Sequence, residues 1–270
     1  MKIIKYITLL LNLFFLTNCD DNTSPPQDTI NYYPLNNGNY WVYDSYDLDI
    51  NNKKIIGTER RDSIIVNDII EYEGKSAYQL QVFRNNILFD TLYFSQESSK
   101  VYMIFDENEI DVPGFNKKWF LIADFSKIND TEWHIYDTIL ENYPFNFRDS
   151  TLFTTYHQTL NGKLESTENY QLNNKSYKSM LFQVRYDKRL YFMYKFPDDV
   201  SVKELEVNRI TKRLLHFTFA ENLGLVQIKY DPYETSFSTN PSTSFTLSAE
   251  FNGRQSDLIY YRIIINENKD

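Results

Sequence analysis

Three histidines, one cysteine and a dense run of acids are the side chains of this 270-residue chain best suited to chemistry. A helical zinc site needs two histidines one turn apart, as in H-E-x-x-H, and His134, His157 and His216 are too widely spaced to supply one. Each reads as an ordinary strand residue. The sequence holds no G-x-S-x-G, Walker A or dinucleotide fingerprint, so it points to no nucleophile elbow and no phosphate cradle. Catalytic residues, metal ligands and cofactors are therefore all read as none. Asp106-Glu107-Asn108-Glu109-Ile110-Asp111 offers oxygens to a calcium ion but lacks the glycine and spacing of an EF-hand loop, and reads as a solvated loop. A glycosidase needs only two carboxylates flanking a cleft, and the sequence nominates no such pair.

Cys19 is placed for a different chemistry. Lys2 and Lys5 precede an apolar run from Ile7 to Leu16, interrupted by Asn12, which is the layout of an export signal. The run is well short of the roughly 20 apolar residues that cross a bilayer. Leu16-Thr17-Asn18 does not provide the small residues of an A-x-A cleavage site, so a conventional signal followed by an idle thiol is the weaker reading. Leu16-Thr17-Asn18-Cys19 resembles the bacterial lipobox, although Asn18 stands where Gly or Ala is usual. The resemblance implies removal of residues 1–18, a diacylglyceryl thioether on Cys19 and an acylated amine. At ~0.8 kcal/mol per buried CH₂, two or more chains hold a protein stably on a membrane. With Cys19 consumed, the folded part has no thiol for disulfides, nucleophilic catalysis or zinc.

Residues 19–30 continue as a lipidated cysteine and flexible tether, because DDNTSPPQDT is too polar and too proline-rich to bury a core. Eleven residues at ~3.3 Å each extend at most about 35 Å, enough to clear the headgroups. Losing Lys2 and Lys5 takes the net charge from −9 to −11, an acidity that argues against nucleic acid and against attraction to anionic lipid. The expected location is the envelope of a Gram-negative bacterium, with the outer membrane favoured and the periplasmic or surface face left open.

Residues 31–270 read as one β-rich domain, with two sheet subdomains as the alternative. Aromatic residues make up 17% of the chain and Gly numbers only 7, a composition that favours strands over a helical bundle. Asn36-Asn37-Gly38, Asn51-Asn52, Asn85-Asn86, Asn161-Gly162, Asn173-Asn174 and Asn252-Gly253 are expected as turns. Between them, strand-length runs such as SAYQLQVFR, KVYMIF, TLFTTYHQTL, KLESTENYQL and RLYFMYKF predict an all-β antiparallel meander of about a dozen strands, closing into a sandwich or a half- or full barrel. EGKSAYQLQVF and NNKSYKSMLFQV echo each other weakly, as two hairpins of similar construction.

Tyr33-Pro34-Leu35-Asn36-Asn37-Gly38-Asn39-Tyr40-Trp41-Val42-Tyr43 resembles the Y-x-P-L-x-x-G-N-x-W-x-Y opening of a loose family of bacterial lipoproteins, and Leu223-Gly224-Leu225-Val226 resembles their late G-L-V strand. The family implies an exported, lipid-anchored β domain and brings no catalytic residue. Physically, Gly38 suits a tight turn, Trp41 and Tyr43 share one strand face, and Gly224 accommodates a close backbone. A sugar platform of exposed aromatics is the functional alternative for Trp41 and Tyr43. The function expected is a non-catalytic binding or scaffolding domain. Its alternatives are a carrier of an apolar ligand in a half-barrel, a glycan-binding lipoprotein and, last, a carboxylate hydrolase.

Overall fold

Alternating aromatic and β-branched residues leave the chain little choice but strands, each with one face to bury. The structure is a computed structural model describing residues 31–105, 118–147, 150–195, 204–240 and 247–264. Its strands are β1 (Tyr40–Leu48), β2 (Arg60–Tyr72), β3 (Lys75–Arg84), β4 (Ile87–Glu97), β5 (Lys100–Phe105), β6 (Lys118–Asp124) and β7 (Glu132–Phe147). They continue as β8 (Ser150–Leu172), β9 (Lys175–Lys195), β10 (Glu204–Ala220), β11 (Gly224–Tyr230), β12 (Tyr233–Asn240), β13 (Leu247–Phe251) and β14 (Gly253–Arg262). All fourteen belong to one antiparallel sheet.

The topology is simpler than fourteen strands suggest. β11 and β12 follow one another along the same edge of β10, broken at Asp231-Pro232, where the register shifts by one residue. β13 and β14 return beside them in unbroken register, with Tyr233 opposite Phe251 and Tyr230 opposite Arg254. Each pair is one long stave with a joint in it. The result is a twelve-stave up-and-down meander in which the first stave pairs with the last, Tyr40 opposite Arg262 and Leu48 opposite Gly253. The open seam lies between β6 and β7. There the Trp133 indole N–H donates to the Leu121 carbonyl at 3.1 Å and the Phe120 and Tyr136 rings meet edge-on with centroids 5.7 Å apart, so side chains bridge where the ladder does not. The sheet is thus a nearly closed barrel.

Turn chemistry follows the asparagines only in part. Asn85-Asn86 and Asn173-Asn174 have positive φ at both residues, as two-residue hairpins of the right-twisted type require, and Glu73-Gly74 does the same between β2 and β3. The two echoing segments therefore both open a strand, at Lys75 and Lys175, immediately after such a turn. Asn161-Gly162 is not a turn. It lies inside the 23-residue β8, where Gly162 leaves room for the Trp133 indole, which a Cβ would overlap. Asn252-Gly253 is likewise the joint between β13 and β14: a Cβ on Gly253 would sit 2.7 Å from Pro232 Cδ, so the glycine lets two interrupted staves pass. Two Asn-Gly steps thus record close packing rather than chain reversal.

One core fills the barrel. The inner face carries Trp41, Tyr43, Ile64, Val66, Leu80, Phe94, Met103, Phe120, Leu164, Phe182, Phe217, Phe219 and Leu225, all buried. Tyr33 plugs one end, its ring 5.4 Å from Phe94 and 5.2 Å from Phe219, both in edge-to-face geometry.

Candidate functional site

The two sequence patches of the lipoprotein resemblance meet at the plugged end. Trp41 Nε1 donates to the Leu223 carbonyl at 2.6 Å and Tyr43 Oη donates to the Leu225 carbonyl at 2.6 Å, so the opening strand grips the backbone on either side of Gly224. Gly224 has φ +91°, and a Cβ on it would lie 3.0 Å from the Tyr33 ring and 3.4 Å from Pro34 and Trp41. Gly38, at φ +83°, turns the chain into β1 and donates its N–H to the Val66 carbonyl at 2.8 Å. Asn39, fully buried, accepts the Ile264 N–H at 2.7 Å and donates to the Pro34 carbonyl at 2.5 Å, tying the plug to the chain just past β14. Burial, followed by neighbouring Tyr33 and Tyr170, raises the Tyr43 phenol well above the ordinary tyrosine range. Pro34, Gly38, Trp41, Tyr43 and Gly224 thus form a structural clasp. Trp41 and Tyr43 are buried inside the barrel and so are not an exposed sugar platform, while Trp119 and Trp133 are half-buried.

The opposite end is different in kind. Along each inner face the residues change from apolar to charged in that direction: Val66, Ile64, Asp62, Arg60 on β2; Leu80, Val82, Arg84 on β3; Trp41, Tyr43, Ser45, Asp47 on β1; Leu258, Ser256, Arg254 on β14. Strand pairing places those charged ends side by side. Arg254 Nε lies 3.7 Å from Asp47, Arg60 lies 3.1 Å from Asp47 and 3.8 Å from Asp62, and Arg84 lies 3.0 Å from Asp62. Three guanidiniums therefore share two carboxylates. Arg60 is mostly buried, with 14% of its side chain exposed, and its Nε has no hydrogen-bond acceptor among the described residues. Burial, then the charges of Arg60 and Arg84, pulls the Arg254 guanidinium below the usual arginine range.

Three hollows open here, and Tyr230 walls all of them. One, of 130 Å³, is apolar, with Phe105, Leu160, Val184 and Leu215 beneath Arg213. A second, of 190 Å³, runs between Met103, Phe94 and Phe217 towards Arg84 and Arg254. The third, of 420 Å³, is the polar vestibule among Asp47, Arg213, Gly253 and Arg254. The Arg84 guanidinium lies 3.8 Å from the Phe89 ring centre, and Phe89 shares the exposed tip of the β3–β4 hairpin with Ile87 and Leu88. The arrangement can hold a molecule with an apolar body.

The histidines are dispersed. His134 Nδ1 is 3.3 Å from Asn161 Oδ1, His157 Nε2 is 3.1 Å from Asp137, and His216 sits between Asp231 at 3.0 Å and Glu165 at 3.3 Å. Among the described residues no group of three or more His, Cys, Asp or Glu is placed to hold a metal. Cys19 and the acidic run Asp106–Asp111 lie outside the described residues. The arginine cluster is the feature that reading the sequence missed.

Fold and site together define a nearly closed antiparallel barrel with one plugged end and one arginine-framed mouth. No protein-family model matches the chain, and no curated protein does. Among solved structures, the chain is similar to a crystal structure of a candidate lipoprotein from Parabacteroides distasonis ATCC 8503. That likeness has a TM-score of 0.43 at 9% identity and spans 87% of this chain and all of the other.

Proposed function

We propose that this protein is an exported lipoprotein of the Gram-negative cell envelope, held to the outer membrane through acylated Cys19, whose barrel is a non-catalytic carrier or receptor for a ligand with an apolar body. The observation that supports the carrier reading is the convergence of three hollows on Tyr230, two of them with apolar floors, at the open end of an otherwise filled barrel. The anchor rests on the Leu16–Cys19 lipobox and the polar segment behind it. The acidity of the chain disfavours nucleic acid as a partner.

Mass spectrometry on protein extracted from its native membrane tests both halves. A denatured digest is expected to give a Cys19 peptide carrying acyl chains, and a native spectrum a mass increment that disappears on denaturation. An unmodified Cys19 overturns the anchor. A native mass equal to the acylated polypeptide alone overturns the carrier.

A further inference from the structure

Resting on the carrier reading, we infer that the mouth is a membrane-docking end, at which the β3–β4 hairpin tip Ile87-Leu88-Phe89 enters the bilayer that anchors the protein, so that an apolar ligand passes between lipid and barrel. Ile87, Leu88 and Phe89 are 71%, 52% and 55% exposed and consecutive, so both faces of β4 are apolar where it begins. Among the described residues, no other two large apolar side chains adjacent in sequence are both exposed. Ile56, at 91% the most exposed of them, belongs to the neighbouring β1–β2 loop at the same end of the barrel. Loop and hairpin are joined, because the Asn85 N–H donates to the Arg61 carbonyl at 3.3 Å and Lys54, Arg61 and Asn85 line one hollow. The Arg84 guanidinium lies over the Phe89 ring at 3.8 Å, where its long stem can stay on apolar surface while its charge reaches the headgroups.

Three observations name a bilayer as what covers the tip. The trio shows on the order of a few hundred Å² of apolar surface, whereas a stable protein partner needs about 800 Å² on each side. A narrow two-residue hairpin is a wedge, which lipid chains can close around and a protein surface would have to be hollowed to receive. The tether supplies the second observation. The chain enters the barrel at the plugged end through Tyr33, and the eleven residues of β4 span about 36 Å at ~3.3 Å each. The polar segment of residues 20–30 reaches at most about 35 Å, a match that lets the anchored barrel bring its mouth down on the membrane that holds it. The third is continuity. Phe89 belongs both to the exposed tip and to the wall of the 190 Å³ hollow that runs to Met103 and Phe94, so apolar surface leads from the tip into the barrel.

Tryptophan fluorescence of the protein extracted from its membrane and reconstituted into phosphatidylcholine vesicles tests this. Leu88→Trp places an indole at the tip, and Lys175→Trp places one at the exposed β8–β9 turn of the plugged end. The parent supplies the background of Trp41, Trp119 and Trp133. The added emission of Leu88→Trp is expected to shift to shorter wavelength and to be quenched when the vesicle lipids carry brominated acyl chains, while that of Lys175→Trp does neither. Both effects are expected to persist in high salt and without anionic lipid, because insertion runs on apolar surface. An unquenched Leu88→Trp overturns membrane docking and leaves the carrier reading standing, since the native mass spectrum tests that reading separately. A blue shift without quenching overturns it in favour of a protein cover, a second copy included. Equal quenching at both positions overturns the assignment to the mouth, because the barrel would then meet lipid without preference for one end.

Discussion

Replacing Gly224 with alanine tests whether the clasp between β1 and β11 is set by backbone conformation, by crowding or by both. The residue sits at φ +91°, where a Cβ costs about 1–2 kcal/mol for conformation alone. The added methyl would then meet the Tyr33 ring at 3.0 Å and Pro34 and Trp41 at 3.4 Å, none of which has room to yield, because Tyr33 and Trp41 are buried and Trp41 is tied to the Leu223 carbonyl. Overpacking of that kind adds about 1–3 kcal/mol, for a total of about 2–5 kcal/mol. Gly57 provides the control. It has φ +87°, and a Cβ there would find nothing within 4 Å, so Gly57→Ala carries the conformational cost without the crowding. Urea unfolding followed by tryptophan fluorescence reads both variants, and the expected difference between them is about 1–3 kcal/mol. If Gly224→Ala is no less stable than Gly57→Ala, close packing around the glycine contributes nothing and the clasp is not what fixes the plug.

Gly162→Ala should displace the Trp133 indole and with it the hydrogen bond that bridges the open seam, lowering stability by about 1–3 kcal/mol and changing the near-ultraviolet circular dichroism of tryptophan; an unchanged spectrum would refute the notch. Acid should act through Asp124. Burial pushes its carboxyl up, but hydrogen bonds from the Ser126 hydroxyl, the Ser126 amide and the Ser99 hydroxyl outweigh this and hold it below the ordinary carboxylate range. The folded value is the lower one, so its stabilisation is complete above the unfolded value of about 3.9 and fades as pH falls through the folded one. Urea midpoints measured downward from about pH 5 should therefore fall less steeply for Asp124→Asn than for the parent, and parallel slopes would refute this assignment.

The strands were legible because strand-length runs rich in aromatic and β-branched residues, such as KVYMIF, SAYQLQVFR and LLHFTFA, stand between turn residues. Lengths were not. TLFTTYHQTL and KLESTENYQL form a single β8, since Asn-Gly at 161–162 carries a turn signature whose true cause, the Trp133 ring, is remote in sequence. β7 escapes detection through Pro144, which a central strand would not tolerate and an edge strand does. β12, with the sequence YETSFSTN, is too polar to stand out. The motif residues were visible as a pattern, yet nothing local reveals that Trp41 and Tyr43 bond to carbonyls 182 residues away. The mouth was hidden for the same reason. Arg60, Arg84, Arg213 and Arg254 lie on separate staves, and only the register between β1 and β14 makes Asp47 face Arg254. A signal did exist in TERRDSIIV, where alternate residues run from Ile64 through Asp62 to Arg60.

The pairing of the first stave with the last has a consequence for biogenesis. β1 finds its closing partner across more than two hundred residues, Tyr40 against Arg262, and β14 is the last of the fourteen strands to be synthesised. Until it arrives, β1 and β11 each present an unsatisfied row of amides and carbonyls, the kind of template on which strands of other molecules add. Closure of so distant a contact is slow relative to hairpin formation, so the two meanders, β1 to β6 and β7 to β11, take shape first and wait. The interval during which this protein is open to aggregation, and most in need of a holding chaperone, is therefore set by the delivery of about ten residues, from Gly253 to Arg262.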